Sequence, residues 1–387
     1  MEYTKLKSIN EYRSENINPM KFPDTIFEMY SVPIYETGHP EYLHGSDIGS
    51  NKVLVQKNDV LLCKINPRIN RVWVVADESE HQNIASSEWI VVRSKTYNPE
   101  FLAWYFRTPK FKKLMTSEVT GIGGSLTRAQ PKAVAEYPIP VIPRQRQDEI
   151  TLILNKSYDI IMLRKRELQS LDKLIKARFV ELFGNPVRNP KGWDTYRLDE
   201  CLERIDNGKS FVCSDKPRHG NYPAVLKLSA ATYGDYRPGE NKALLDESQF
   251  VEGAEVHSGD LLFTRKNTPE LVGMAAYVQE TPERLMMPDL IFRLIANERM
   301  SPVFLWQLIN CKEFRPVIQG ISGGSAKSMS NISKERLGKI SVICPPRQVQ
   351  DQLIPFVAQV DKSKAAVQAA LDKAQLLFDS LMQEYFG

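Results

Sequence analysis

The chain repeats parts of its own sequence in the same order, and this repetition limits its possible folds more than any other feature. Residues 143–148 read PRQRQD, and residues 346–351 read PRQVQD, 203 positions later. At the same offset, residues 181–184 (ELFG) match residues 384–387 (EYFG). Two further pairs lie at offsets of 200 or 201, namely DVLL at 59–62 with DLLF at 260–263, and GGS at 123–125 with GGS at 323–325. Ordered blocks at a nearly constant offset indicate an internal duplication of the 387-residue chain.

Each half ends in a long segment with the pattern of a packed helix. The first segment starts at Arg144 and contains neither Pro nor Gly before Gly184, which is expected to end the helix. In the second segment, Pro355 is expected to delay or kink the first turn. Apolar residues recur at alternating steps of four and three, which is typical of a coiled-coil seam. The predicted packing residues are Ile150, Leu154, Ile161, Leu168, Leu171, Ile175 and Leu182 in the first helix, and Leu353, Val357, Val360, Val367, Leu371, Phe378 and Leu381 in the second.

Upstream of each helix, short runs rich in β-branched and aromatic residues alternate with turns and predict strands. The predicted strands are 52–56, 60–64, 72–76 and 89–93 in the first half, and 224–228, 260–264, 274–278 and 290–295 in the second. One helix is expected after each set, at 99–116 and 302–318, each opening at a proline. The predicted fold class is α+β. Two mixed, mostly antiparallel-β domains (1–143 and 186–346) are joined by two long antiparallel helices (144–185 and 347–387) that form a coiled coil with pseudo-twofold symmetry.

The composition excludes several classes of protein. No apolar run approaches the roughly 20 residues of a membrane span, and the first ten residues lack the apolar stretch of a signal peptide. The 5 cysteines form no CxxC pair, which favours a reducing cytoplasm over a disulfide framework or a zinc site. The 5 histidines are scattered and predict no metal site. The sequence contains neither the phosphate-binding motif GxxxxGK[ST] nor the dinucleotide-binding motif GxGxxG. It also lacks a convincing paired-acid nuclease motif. We therefore expect no cofactor and no catalysis in this chain.

Two pairs of recurring loops carry the residue types that contact nucleic acid. The first pair follows the repeated DVLL and DLLF strands. Arg and Lys suit guanine O6 and N7, and Asn suits adenine N6 and N7. A loop rich in these residues is also often merely solvated, but its recurrence in both halves favours DNA contact. The predicted residues are Lys64, Asn66, Arg68, Asn70 and Arg71 in the first half, and Arg265, Lys266 and Asn267 in the second.

The second pair consists of the Gly-Gly-Ser turns. Glycine lets backbone N–H groups approach an anion, and a following cation completes a phosphate contact. An ordinary tight turn is the alternative. The predicted phosphate-contacting residues are Gly124, Ser125 and Arg128 in the first half, and Gly324, Ser325 and Lys327 in the second.

Taken together, the duplicated helices, their proline-rich entries, the Gly-Gly-Ser turns and the phrase GDLLFTR at 259–265 resemble the specificity (S) subunits of type I restriction-modification systems, the HsdS family. The resemblance implies two target recognition domains that read the two halves of a split sequence in double-stranded DNA. It also implies that the helices dock two methyltransferase (M) subunits and, through them, restriction/translocase (R) subunits. S-adenosylmethionine, ATP and Mg²⁺ are then expected in those partners and not in this non-catalytic, cytoplasmic chain.

Two other interpretations remain open from the sequence. One is a self-contained methyltransferase or nuclease of related architecture, which requires a cofactor motif that the sequence lacks. The other is a coiled-coil scaffold with no role on DNA. These alternatives are distinguished by binding of S-adenosylmethionine and by sequence preference on duplex DNA.

Overall fold

The computed structural model describes residues 2–76, 78–120, 127–323 and 329–387. The chain divides into two compact units. Unit 1 consists of Met1–Lys165 with Ala369–Gly387, and unit 2 consists of Arg166–Gln368. The long helices therefore contribute residues to both units.

Unit 1 combines short strands with helices, which confirms the predicted mixed composition. The strands are β1 (Tyr3–Lys5), β2 (Asn16–Ile17), β3 (Ile26–Tyr30), β4 (Glu41–His44), β5 (Lys52–Leu54), β6 (Val60–Cys63), β7 (Val72–Val74), β8 (Gln82–Ala85), β9 (Trp89–Val92), β10 (Val119–Thr120), β11 (Arg128–Ala129) and β12 (Pro138–Pro140); the helices are α1 (Leu6–Ile9), α2 (Pro99–Phe106), α3 (Pro109–Ser117), α4 (Pro131–Val134) and the first part of α5 (Arg144–Phe183). The sheets include a five-stranded one of order β2-β5-β8-β3-β4 and a three-stranded one of order β7-β6-β9. Strand β3 pairs parallel with β8, and the other pairs in these two sheets are antiparallel.

The core of unit 1 lies between the three-stranded sheet and α2. Strand β6 is buried along its whole length, as its uninterrupted VLLC run requires. Helix α2 is apolar on nearly every side, and such a helix is stable only inside a core. Asn98 caps it by accepting hydrogen bonds from Glu100 N and Phe101 N at 2.8 and 3.2 Å.

Unit 2 repeats this plan with different details. The strands are β13 (Thr195–Arg197), β14 (Leu202–Asn207), β15 (Ala224–Leu226), β16 (Asn241–Ala243), β17 (Leu261–Thr264), β18 (Lys266–Asn267), β19 (Ala275–Tyr277), β20 (Leu285–Met286), β21 (Ile291–Ala296), β22 (Ser330–Asn331) and β23 (Ser341–Ile343); the helices are α6 (Pro302–Asn310), α7 (Arg315–Gly320), α8 (Lys334–Gly338), α9 (Arg347–Gln350) and α10 (Leu353–Phe386). The larger sheets have the orders β14-β21-β17-β19 and β16-β15-β20, and β15 pairs parallel with β20.

The single helices expected at 99–116 and 302–318 are each two helices, so that prediction was wrong. In unit 1, Thr108 caps α3 by accepting a hydrogen bond from Phe111 N at 3.2 Å, and Pro109 opens the new helix. In unit 2, α6 ends before Cys311, which has an extended backbone, and α7 begins at Arg315. A side-chain cap and extended backbone interrupt the chain where apolar periodicity alone suggests continuity.

Helix α5 begins and ends where the sequence predicts. Gly184 follows it with φ of 76°, a left-handed conformation that glycine adopts without strain. The second helical segment is interrupted, because the short α9 stops two residues before α10, whose third residue is Pro355. The expected effect of this proline is therefore confirmed.

In unit 1 the first turns of α5 lie beside the last turns of α10. The Arg146 guanidinium lies 5.7 Å from the centre of the Tyr385 ring, and the Tyr158 and Phe378 rings are 6.1 Å apart. The buried Phe386 also packs on Phe101 of α2 at 5.4 Å. The two helical segments thus run in opposite directions here.

Unit 2 contains the reciprocal pairing of the other ends. Lys364 Nζ lies 2.7 Å from Asp172 Oδ1, and the Arg178 guanidinium lies over the Phe356 ring at 5.7 Å. Phe183 packs on Phe304 of α6 at 4.7 Å, the counterpart of the contact made by the end of α10 in unit 1. All 14 predicted packing residues are buried or half-buried, and each fully buried aliphatic side chain contributes about 1.5–3 kcal/mol.

Candidate nucleic-acid interface

The predicted loop of unit 1 is a short 3₁₀ turn held between two asparagines. Pro67–Ile69 forms the turn, and Asn66 and Asn70 flank it with φ of 49° and 56°. This left-handed conformation costs a non-glycine residue roughly 1–2 kcal/mol, and Asn tolerates it better than most. The side chain of Arg68 projects to solvent from the turn. The loop therefore presents a cation from a strained and defined backbone.

Three polar side-chain atoms of this loop are buried without a hydrogen-bond partner in the described part of the chain. They are Asn66 Oδ1, Asn70 Oδ1 and Arg71 Nε. Buried polar groups are normally paired, and strained backbone and unpaired polar atoms together are typical of functional sites. The loop thus combines a strained backbone with buried polar atoms that lack a hydrogen-bond partner.

The loop is anchored to the strand that follows residues 121–126. Asn66 N donates to Thr127 O at 2.8 Å, and Ala129 N donates to Lys64 O at 2.9 Å. Arg128, on the same strand, forms two 3.2 Å hydrogen bonds to the Glu88 carboxylate, which raise the pKa of its guanidinium. Gly124 and Ser125 lie outside the described residues. Of the second predicted motif of the first half, the structure thus brings Arg128 beside the loop.

The corresponding loop of unit 2 is arranged differently around its arginine. The Arg265 guanidinium donates to Asp289 O at 3.5 Å and to Asn331 Oδ1 at 3.3 Å. It also lies over the Phe292 ring, 5.0 Å from the ring centre. These contacts hold the side chain against the protein and leave its charge half-buried.

Strand β18 pairs with β22, so this loop too is anchored to the chain that follows the Gly-Gly-Ser turn. Asn267 is buried, and its Nδ2 donates to Thr232 Oγ1 at 3.1 Å, whereas Lys266 is half-buried. Gly323 exchanges backbone hydrogen bonds with Asn331 at 2.8 and 2.9 Å. Gly324, Ser325 and Lys327 lie outside the described residues.

An ion pair lies at the start of the repeated strand in each unit. Asp59 is fully buried and accepts hydrogen bonds from Gln56 N at 2.9 Å and from Arg93 Nε and Nη2 at 2.7 Å each. Its counterpart Asp260 accepts from His257 N at 2.8 Å and pairs with Arg293 at 3.1 Å. Burial raises the pKa of Asp260 although Arg293 lies nearby. These pairs explain the repeated aspartate as a structural residue.

A buried glutamine explains the repeated proline-rich motif. Gln147 Oε1 accepts from Asn98 N at 2.8 Å, and its Nε2 donates to Ile142 O at 2.7 Å. The equivalent Gln350 accepts from Ser301 N at 2.8 Å and donates to Pro345 O at 2.7 Å and to Arg299 O at 2.9 Å. We call these two residues the glutamine latches. Sequence reasoning found the motif but missed this role, and its recurrence at one offset was the available signal.

Part of helix α5 exposes large apolar side chains on the side opposite its packed residues. In unit 1 these are Leu152, Ile160 and Leu163, which are 55%, 50% and 59% exposed. Leu152 and Leu163 are about three helical turns apart and therefore share one face. This surface is separate from the predicted packing residues.

The described residues contain no group of three or more His, Cys, Asp or Glu side chains that could hold a metal ion. None of the helices within them is long and apolar enough to cross a bilayer.

The chain matches no protein-family model. Among curated proteins, it is 30% identical to the specificity subunit of the type I restriction enzyme EcoEI from Escherichia coli, over 202 residues. The aligned part is 51% of this chain and 34% of that relative, so the chain spans about a third of the relative's length. The resemblance to type I specificity subunits is confirmed.

Two solved structures share the fold of the whole chain. The type I restriction-modification S subunit from M. genitalium matches with a TM-score of 0.60 at 11% identity, covering 100% of this chain and 96% of that one. A chain from a structural study of type I R-M complex assembly and conformational transition matches with a TM-score of 0.55 at 18% identity, covering 100% and 97%. At these identities the likeness to S subunits concerns the fold.

Proposed function

We propose that this chain is the DNA-specificity subunit of a type I restriction-modification complex. Residues 1–143 and 186–346 are the two target recognition domains, and each reads one half of a bipartite DNA site. Residues 144–185 and 347–387 form the antiparallel coiled coil that joins the domains in a pseudo-twofold arrangement.

One observation carries this proposal. The two units repeat two buried contacts, the aspartate–arginine pair and the glutamine latch, but differ in the loop that follows the repeated strand. A duplicated frame with unlike loops suits a protein that places two different reading surfaces on the same kind of partner. Because base contacts specify a sequence whereas phosphate contacts position the protein, the unlike loops are the natural site of specificity.

The chemistry of the loops is compatible with this role. Lys64, Arg68 and Arg71 provide cations in unit 1, and Arg265 and Lys266 provide them in unit 2. Arg128 and Arg265 are engaged with protein groups, so contact with DNA requires them to exchange those partners. Gly124, Ser125, Gly324, Ser325 and Lys327 remain predicted phosphate contacts, and the described chain that follows each Gly-Gly-Ser motif pairs with its loop.

The chemistry is assigned to partner subunits. Two methyltransferase subunits dock on the helices and use S-adenosylmethionine to methylate adenine, and restriction/translocase subunits use ATP and Mg²⁺. The packing residues predicted from the sequence join the two helices, and the exposed apolar face of α5 is available for a partner. The complex acts in the cytoplasm.

The test compares adenine methylation across the host genome with and without this gene. The proposal expects a methylated, two-part motif that disappears with the gene. Arg68→Ala should weaken methylation through one half of the motif, and Lys266→Ala through the other.

Lys57→Ala is the matched control, because Lys57 lies at the opposite end of β6 from the unit 1 loop. If the assembled complex prefers no duplex sequence, a scaffold without a DNA role is favoured. If the isolated chain binds S-adenosylmethionine, a self-contained enzyme is favoured.

A further inference from the structure

Unit 1 contains a cavity between α2 and the first half of α5. Its volume is about 360 Å³, which lies within the range of small-molecule sites. The lining includes three aromatic side chains, Tyr35, Trp104 and Tyr158, and two carboxylates, Glu100 and Asp159. Aromatic rings and carboxylates both attract cations, so the composition of the lining is complementary to an organic cation.

Contacts with the protein fix the aromatic part of the lining. Trp104 is buried, and its Nε1 donates a hydrogen bond to Asn155 Oδ1 at 2.7 Å. The Tyr158 ring packs edge-on against the Trp104 ring, with 5.3 Å between the ring centres. The hydroxyl of Tyr35 donates to Val72 O at 3.3 Å. The rings are therefore positioned before a ligand arrives, which lowers the entropic cost of binding.

The carboxylates of this cavity lack a cation of their own. Glu100 is half-buried in the first turn of α2, and Asp159 is exposed on α5. In the part of the chain that the structure describes, neither carboxylate accepts a hydrogen bond or forms an ion pair. Burial raises the pKa of Glu100, and the charge of Arg107 opposes this shift only in part. The Arg107 guanidinium lies 4.8 Å from the centre of the Trp104 ring and donates to Val72 O at 2.9 Å.

Unit 2 has a smaller cavity at the corresponding place. Gln307 and Asn310 of α6 follow Trp104 and Arg107 by 203 positions. They line a cavity of about 230 Å³. The two units can therefore be compared at equivalent positions.

The chain itself supplies the cations of the unit 2 cavity. Lys364 Nζ lies 2.7 Å from Asp172 Oδ1. Arg237 Nε lies 2.9 Å from Asp235 Oδ2, and its guanidinium lies 4.7 Å from the centre of the Tyr233 ring. All five residues line the cavity. Each of its carboxylates is thus paired with a cation, as those of the unit 1 cavity are not.

We propose that the unit 1 cavity binds an alkylammonium group, supplied either by a free polyamine or by the lysine side chain of a bound protein. An ammonium group is compact and has three N–H donors, which suits carboxylates that come from two different helices. A guanidinium is planar and pairs best with a single carboxylate. The alkyl stem packs on the aromatic rings, which also attract the charge. This inference does not depend on the proposed role on DNA.

The experiment titrates the full-length protein by isothermal calorimetry with spermidine and, in a second series, with Nα-acetyl-lysine methylamide. Nα-Acetyl-norleucine methylamide keeps the four-carbon stem without the ammonium group and should not bind measurably. Tighter binding of spermidine identifies a free polyamine as the source of the group, whereas tighter binding of the lysine derivative identifies a protein side chain. If neither ammonium compound binds, or if the norleucine derivative binds equally well, the proposal is wrong.

Variants of the lining locate the bound group. Glu100→Gln should raise the Kd of the tighter ligand about tenfold, because it removes a charge-assisted hydrogen bond. Asp159→Asn and Tyr158→Ala should each raise it about two- to fivefold, because contacts at exposed positions are weaker. Asp24→Asn, an exposed carboxylate of unit 1 outside the cavity, is the matched control and should leave the Kd unchanged.

The two exposed positions keep the test decisive even if the Glu100 variant does not fold. An unchanged Kd in both Asp159→Asn and Tyr158→Ala overturns the proposal. So does an equal loss of affinity in Asp24→Asn, which would show that the ammonium compounds respond only to the overall charge of the protein.

Discussion

The two units share the buried aspartate–arginine pair and the glutamine latch but differ in their loops. In unit 1 the loop is a strained 3₁₀ turn between two left-handed asparagines, Asn66 and Asn70. In unit 2 Arg265 folds back onto Phe292 and bonds to protein oxygens. The aspartate–arginine pairs also differ in geometry. Asp59 makes two short hydrogen bonds to its arginine, whereas Asp260 lies 3.1 Å from Arg293 Nε without hydrogen-bond geometry. The two units thus share these buried contacts, while the loops that follow the repeated strands differ.

The largest difference in stability between the two units is expected when the ion-paired aspartates are replaced. We expect Asp59→Ala to lower the free energy of unfolding by about 3–5 kcal/mol, because it leaves a partly buried arginine without its partner. Asp260→Ala should cost less, since its pair has poorer geometry. Urea unfolding measures both, with the exposed Asp47→Ala as control. Equal losses in the two variants would show that the geometric difference between the pairs has no energetic consequence.

The next largest losses of stability are expected when the glutamine latches are replaced. We expect Gln350→Leu to cost about 2–3 kcal/mol, because it leaves the Ser301 N–H and two carbonyls unpaired in a buried place. Gln147→Leu should cost less, since it releases one N–H and one carbonyl. The exposed neighbours Gln348→Leu and Gln145→Leu are matched controls in the same unfolding assay. A larger loss in unit 1 than in unit 2 would contradict this ordering.

The two loop arginines are both expected to affect DNA binding. Arg68→Ala should weaken specific DNA binding of the assembled complex by about 1–3 kcal/mol, roughly one base contact. Arg265→Ala should weaken binding and also stability, because its side chain packs on Phe292. Fluorescence anisotropy with cognate and scrambled duplexes, alongside thermal unfolding, separates the two effects. If Arg265→Ala leaves both unchanged, its contacts with Phe292 and Asn331 are incidental.

The smallest effect is expected at the strained turn. Asn70→Ala should lower stability by about 1 kcal/mol, because alanine resists the left-handed conformation, and Asn70→Gly should be nearly neutral. Thermal unfolding compares the pair. Equal behaviour of the two variants would mean that the turn relaxes to another conformation.

The sequence predicted the duplication, the bounds of α5 and the effect of Pro355, because repeats and long periodic helices can be recognised from residues that are close together in the sequence. It also located the loops through recurring Arg, Lys and Asn. It did not foresee that Asn267 is buried against Thr232, or that Arg265 stacks on Phe292, since both depend on residues far away in the chain. The break between α2 and α3 was missed because a threonine cap outweighs apolar periodicity there.

The apolar face of α5 also bears on how this protein behaves when it is made alone. The exposed side chains along this side of the helix are Leu152, Ile160 and Leu163. Such a stripe favours self-association at high concentration, and under the proposed function co-expression with a methyltransferase subunit should reduce it.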